Sequence, residues 1–141
     1  MKTLFIILFI AGIFSVNSIG QEISENQISF VNKFIDAVES HDMNVVLKMT
    51  DKQYRKEQLK FLEGRKEQFI NELFGGYDLM NDNFVNTRFA NILKIEVAEI
   101  IPQENGYFEY IFRIRDGEHD ITCSLLLKNV KNKFGFIGAV G

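Results

Sequence analysis

The sequence predicts an α+β domain in which N-terminal helices pack on a four-stranded antiparallel meander. Apolar residues recur at helical spacing as far as residue 74. Beyond residue 90 they alternate in runs separated by Asn105-Gly106, Asp116-Gly117 and Lys131-Asn132, and that change of period separates helices from strands.

The 141-residue chain opens with Lys2, an apolar run from Leu4 to Val16, and small residues Ser18 and Gly20 before Gln21. This is the layout of a secretory signal peptide, and the run is short of the roughly 20 apolar residues of a membrane span. Residues 1–20 are therefore expected to be removed on export to the periplasm or the medium, leaving 21–141 as one domain. Removing Lys2 takes the formal charge from −3 to −4. Acids and bases are interleaved, as in DKQYRKEQLKFLEGRKEQ, so no basic stripe for nucleic acid forms. With Cys123 the lone cysteine, an exported chain has no internal disulfide and packing must hold it.

Ser24 followed by Gln27 has capping-box spacing, and Ile28, Val31, Phe34, Ile35 and Val38 then mark an amphipathic helix over 25–40. Asp42 is placed to cap a short helix over 43–49. A third helical pattern runs over 51–74, with a kink expected at Gly64 and an end at Gly75-Gly76. Residues 77–88 read as a connector. Its Asp78, Asn81, Asp82 and Asn83 lack the spacing and glycine of a calcium loop.

The expected strands are 90–102, 107–115, 118–130 and 133–140. Two-residue turns would oppose Arg115 to Glu118, Arg113 to Asp120 and Tyr110 to Cys123. The charges beside Asp116-Gly117 then become cross-strand pairs, and Cys123 an inert core thiol. The same rule puts Glu99 on the core face with Tyr110 and Phe112, where a carboxylate is costly. A bulge turning Glu99 outward, an internal partner, or a polar pocket beside Tyr110 would each account for it. In the last case Glu99, Tyr110, Phe112 and Cys123 line a ligand pocket. The outer face gathers Ile100, Ile111, Tyr107, Leu126 and Ile137. That is apolar enough to expect a homodimer through Tyr107, Ile111, Leu126 and Ile137.

The helix carrying FVNKFIDAVESHDMNVVLKM and the closing strands ending KFGFIGAVG resemble the nuclear-transport-factor-2-like (cystatin-like) superfamily, in particular small exported bacterial members. The resemblance implies a curved, cone-like sheet wrapped around the helices, with a pocket inside. Catalysis in some members relies on pocket Asp, Tyr or His residues, but no motif here transfers such a role. Two functions follow as expectations. One is a non-enzymatic module binding a small apolar ligand or a protein. The other is an acid–base enzyme of isomerase or cyclase type, with Glu99 accepting and Tyr110 donating a proton. His41 and His119 lack further ligands at zinc spacing, and GFIGAVG lacks the Gly-x-Gly-x-x-Gly context, so neither a metal nor a cofactor is expected.

Overall fold

The computed structural model describes residues 22–138, so residues 1–20, expected to be a signal peptide, and the end of the strand expected over 133–140 lie outside the described residues. Among the described residues four α-helices precede and cover a six-stranded antiparallel sheet: α1 (Glu25–Glu39), α2 (Met43–Lys48), α3 (Lys52–Phe61), α4 (Lys66–Leu73), β1 (Gly76–Asp78), β2 (Asn83–Val85), β3 (Lys94–Pro102), β4 (Tyr107–Arg115), β5 (Asp120–Val130) and β6 (Lys133–Gly138). The class is the α+β one read from the sequence. Among the described residues no helix is long and apolar enough to cross a membrane.

Caps set the helix starts. Ser24 Oγ accepts from the Gln27 amide at 3.1 Å, Asp42 from Val45 at 3.2 Å and Asp51 from Tyr54 at 3.1 Å. The capping box is half made, because the Gln27 side chain is buried and donates instead to the Tyr110 hydroxyl at 2.8 Å. The expected third helix is two. Glu63 and Gly64 take positive φ of 54° and 79°, and the Gly64 amide closes on Leu59 O at 2.7 Å, so the chain turns rather than kinks. Residues 77–88 are more than a connector: β1 and β2 form a hairpin that widens the sheet.

β5 is the hub of the sheet. On one edge it pairs with β4, and β3 lies beyond. Its other edge is shared, with β1 along Ile121 and Thr122 and β6 along Leu125 to Val130. The two strands part at Cys123-Ser124, and the sheet forks there. The far edge of β6 is satisfied by the segment between α2 and α3, through Phe136 N to Met49 O (2.9 Å) and Asp51 N to Phe136 O (2.8 Å).

Two turns differ from the two-residue form, with opposite consequences. Asp116 Oδ1 accepts the amides of Glu118 (3.0 Å) and His119 (2.7 Å), which stretches the turn to four residues. Arg115 therefore opposes Asp120, and Phe112 rather than Tyr110 opposes Cys123. A shift of two residues keeps every side chain on its face. Arg113 still forms a two-pronged ion pair with Asp120 (Nε–Oδ1 2.7 Å), whereas Arg115 pairs with Glu96 rather than Glu118.

At Asn105-Gly106 the loop has three residues, so Ile101 opposes Glu109 and the parity of outer β3 flips. A bulge between Val97 and Glu99 flips it back. The result is that Ile95, Val97 and Ile100 all face the core, while Glu99 is exposed opposite Ile111 on the outer face. Ile100, expected in the outer patch, is a core residue, and Ile101 takes its place. Tyr107 and Leu126 share the outer face as expected, with Tyr107 opposite Lys128 and Leu126 opposite Glu109. The Lys131-Asn132 turn has the expected register, with Leu127 opposite Phe136 and Leu125 opposite Gly138.

Where a cone-shaped pocket was expected, aromatic rings fill the space. Phe34 of α1 lies 4.4 Å from Phe136 and 5.9 Å from Phe112, centroid to centroid, and Tyr110 stands edge-on to Phe136 at 5.9 Å. All four are fully buried.

Candidate functional site

The residues singled out as a pocket do not meet at one. Tyr110, Phe112 and Cys123 belong to the close-packed core, and Glu99 points away from them on the other side of the sheet. Burial pushes the Tyr110 hydroxyl well above its ordinary value, an effect only partly offset by the bond from Gln27. Burial also pushes the Cys123 thiol up to about 12, and its Sγ donates to Leu73 O at 3.5 Å. Neither group is a proton donor or nucleophile at neutral pH. Acid–base chemistry between Glu99 and Tyr110 is excluded by this arrangement, since the sheet separates them.

Polar side chains converge instead at the fork. A cleft of about 380 Å³ opens where β1 and β6 leave β5, closed on one side by α3 and α4. Its hydrogen-bonding wall comprises Tyr54 and Gln58 of α3, Glu72 of α4, Asn86 just after β2, and Thr122 and Ser124 of β5. Phe69 and Leu73 form the apolar floor. At the rim stands Phe84 of β2, 77% exposed, edge-on to Tyr77 at 6.1 Å. Phe84, Tyr77 and Thr122 share one row across the outer face, which is how the hairpin brings an aromatic ring to the cleft.

Glycines create the space. A Cβ at Gly138 would fall 2.3 Å from the Tyr54 hydroxyl, and one at Gly75 would fall 2.8 Å from Asn86 Oδ1. Burial raises the Tyr54 pKa; the Gly138 amide opposes this and the Glu72 charge adds to it, so the hydroxyl remains protonated and free to donate. Ser124 Oγ donates to Glu109 at 2.7 Å, and Glu72 accepts from Gln68 at 2.8 Å. Gln58, Asn86 and Thr122 have no side-chain hydrogen-bond partner among the described residues.

None of these six was legible as a site. They come from four separate places in the chain, and no sequence motif joins those places. The one local signal was the glycines, of which Gly75-Gly76 read as a helix stop.

An open depression between α2, α3 and α4 carries Lys48, Arg55 and Lys66. Arg55 is already engaged there, holding Leu47 O at 2.5 Å and Thr50 O at 2.9 Å. Among the described residues, no group of three or more His, Cys, Asp and Glu is placed to hold a metal ion.

A third polar cluster lies under the tip of the β1–β2 hairpin. Asp78 is wholly buried, and its carboxylate accepts from Asn81 Nδ2 (2.7 Å) and the amides of Met80 (2.9 Å) and Asn81 (3.4 Å). His119 sits between Asp116 (Nδ1–Oδ2 3.1 Å) and Asp78 (Nε2–Oδ2 4.0 Å), with Glu118 adding to the field. The bond to Asp116 raises the His119 pKa above 6.5. The Asn81 side chain lowers that of Asp78 below 3.8. For Asp116, burial raises the pKa but is outweighed by the amides of Glu118 and His119, so it too falls below 3.8.

The depressed carboxylates stabilise the fold above pH 3.8 and lose that contribution as pH falls through their folded values. The raised histidine stabilises it below pH 6.5 and loses its contribution as pH rises through its folded value. Stability should therefore be greatest between about pH 4 and 6.5 and decline on both sides. Urea midpoints from pH 3 to 9 should show this, and His119→Gln should flatten the alkaline decline while also reducing the acid one, since His119 helps depress Asp116 and Asp78. An unchanged alkaline limb in that variant would contradict the assignment.

In sequence comparison the chain matches no protein-family model and no curated protein.

Proposed function

We propose that the chain is an exported, non-catalytic binding module of nuclear-transport-factor-2-like type, whose ligand site is the cleft at the sheet fork. The observation that carries this reading is a set of groups on one concave surface that have no partner among the described residues: the Gln58 and Asn86 amides and the Thr122 hydroxyl. Polar side chains aimed into a cleft above an apolar floor are the usual composition of a small-molecule site, and about 380 Å³ is the low end of its size range. The aromatic interior favours binding outside the core over a ligand held within it. A fragment library screened by thermal shift should yield binders to the wild-type protein. Gln58→Trp, which fills the cleft from the half-buried face of α3, should weaken them about tenfold or more. Binders indifferent to that change would sink this reading.

Self-association through the outer face is a second reading, supported by one row of the sheet. Ile101, Leu126 and Ile137 line up across β3, β5 and β6, with Glu109 between the first two. Together with Tyr107 and Ile111 they form a half-exposed apolar strip. Light scattering should then give twice the chain mass for wild type and the single mass for Leu126→Glu. Equal masses for the two would remove the dimer.

A further inference from the structure

We propose that the fork cleft takes a neutral, polyhydroxylated ligand, a saccharide ring in particular, seated with its C–H face on Phe84 and its hydroxyls on Gln58, Asn86 and Thr122. This deepens the binding reading and rests on it. The lining excludes other ligand classes by their chemistry. Among the described residues it contains no Lys, Arg or His, and the one charge there is the Glu72 carboxylate, so an anionic ligand would meet repulsion with no counter-charge. A wholly apolar ligand would take water from two side-chain amides and a hydroxyl and return no hydrogen bond, which is unfavourable.

A sugar matches what remains. Each hydroxyl both donates and accepts, as do the side-chain amides of Gln58 and Asn86 and the hydroxyls of Tyr54 and Thr122. Sugar rings also carry an apolar C–H face. The Phe84 ring is 77% exposed at the cleft rim, braced edge-on by Tyr77, whose hydroxyl donates to Asp82. A large ring held in water by a braced hairpin contributes nothing to the core, and stacking a ligand face against it recovers apolar contact.

The test is a ¹⁵N-correlation titration of the folded protein with four neutral probes: methyl α-glucoside, N-acetylglucosamine, cellobiose and chitobiose. At least one should shift the amides of Asn86, Thr122 and the Gln58 turn. Phe84→Ala and Asn86→Ala should each weaken binding about tenfold, the loss expected of one stacking or hydrogen-bonding contact. Both positions are exposed, and an unchanged melting temperature in each variant separates lost binding from lost folding. Benzylamine and benzoate serve as charged controls. Shifts at the cleft with benzylamine or with unrelated fragments, but with none of the four sugars, would overturn the ligand class and leave the cleft standing. No shift there with any compound would overturn both. Sugar binding unaffected by either variant would place the sugar elsewhere and overturn the proposal.

Discussion

Replacing Phe136 by alanine is expected to destabilise the fold by about 3–5 kcal/mol, the range for deleting a buried aromatic ring from a packed core. Phe136 has no exposed surface, and its ring is in contact range of Phe30, Phe34, Tyr110 and Phe112. Its backbone bonds to Met49 and Asp51 do not depend on the side chain, so the loss isolates ring packing. Set against a total stability of about 5–15 kcal/mol for a domain, this lowers the melting temperature by about 10–20 °C. Phe136→Leu, which keeps most of the volume, should cost well under half as much. Calorimetry of the three proteins checks this. A cost for alanine below about 1 kcal/mol would mean that the space beneath the helices is already hollow.

The second large effect is at Gly76, where β1 begins. A Cβ there would lie 2.4 Å from the carbonyl oxygen of Thr122 and 2.6 Å from Ile121 Cγ2. The first of these is backbone, so rotation of a side chain does not relieve it. Either β1 moves away from β5 or β5 bends, and overpacking of this kind costs about 1–3 kcal/mol. The displaced strand carries Tyr77 and, through β2, Phe84, so the hairpin moves with it. Gly76→Ala should therefore lower the urea midpoint and speed amide exchange in Tyr77 to Val85 while leaving the β3–β4 ladder protected. Wild-type exchange in that hairpin would show that the close approach is relaxed at no cost.

The sequence made much of this fold readable, and the errors are instructive. The α1 face and the caps at Ser24 and Asp42 follow from local chemistry, and local chemistry survives packing. The registers depended on turn length, which pairing rules assume rather than derive. At Asp116 the side chain accepted two amides and lengthened the turn by two residues, so the faces were unharmed. At Asn105-Gly106 the change was one residue, and β3 needed a bulge to restore Ile95 and Val97 to the core. The apparent misplacement of Glu99 in the core was the sign that the turn is one residue longer, which faces Glu99 outward before the bulge is reached. The pattern of apolar residues on both sides of it (Ile95, Val97, then Ile100) has no single strand register that buries all three.

The candidate site was not readable, for a different reason. It depends on β1 pairing with β5 beside β6, a long-range choice made by a hairpin whose residues show no clear alternation. Tyr54 and Asn86 become neighbours of one cleft only after that pairing. Gln27 illustrates the same point in the core: its spacing from Ser24 indicated a cap, while its side chain serves Tyr110, 83 residues away.

The central claim is that ligand binding occurs at the fork and not beneath the helices. Mapping fragment binders by ¹⁵N and ¹³C-methyl chemical shifts tests it most directly. The predicted result is a set of perturbations centred on Tyr54, Gln58, Asn86 and Thr122, with Ile100, Ile114 and Leu125 of the core unchanged. Perturbations centred on those core methyls, with the fork residues silent, would contradict it.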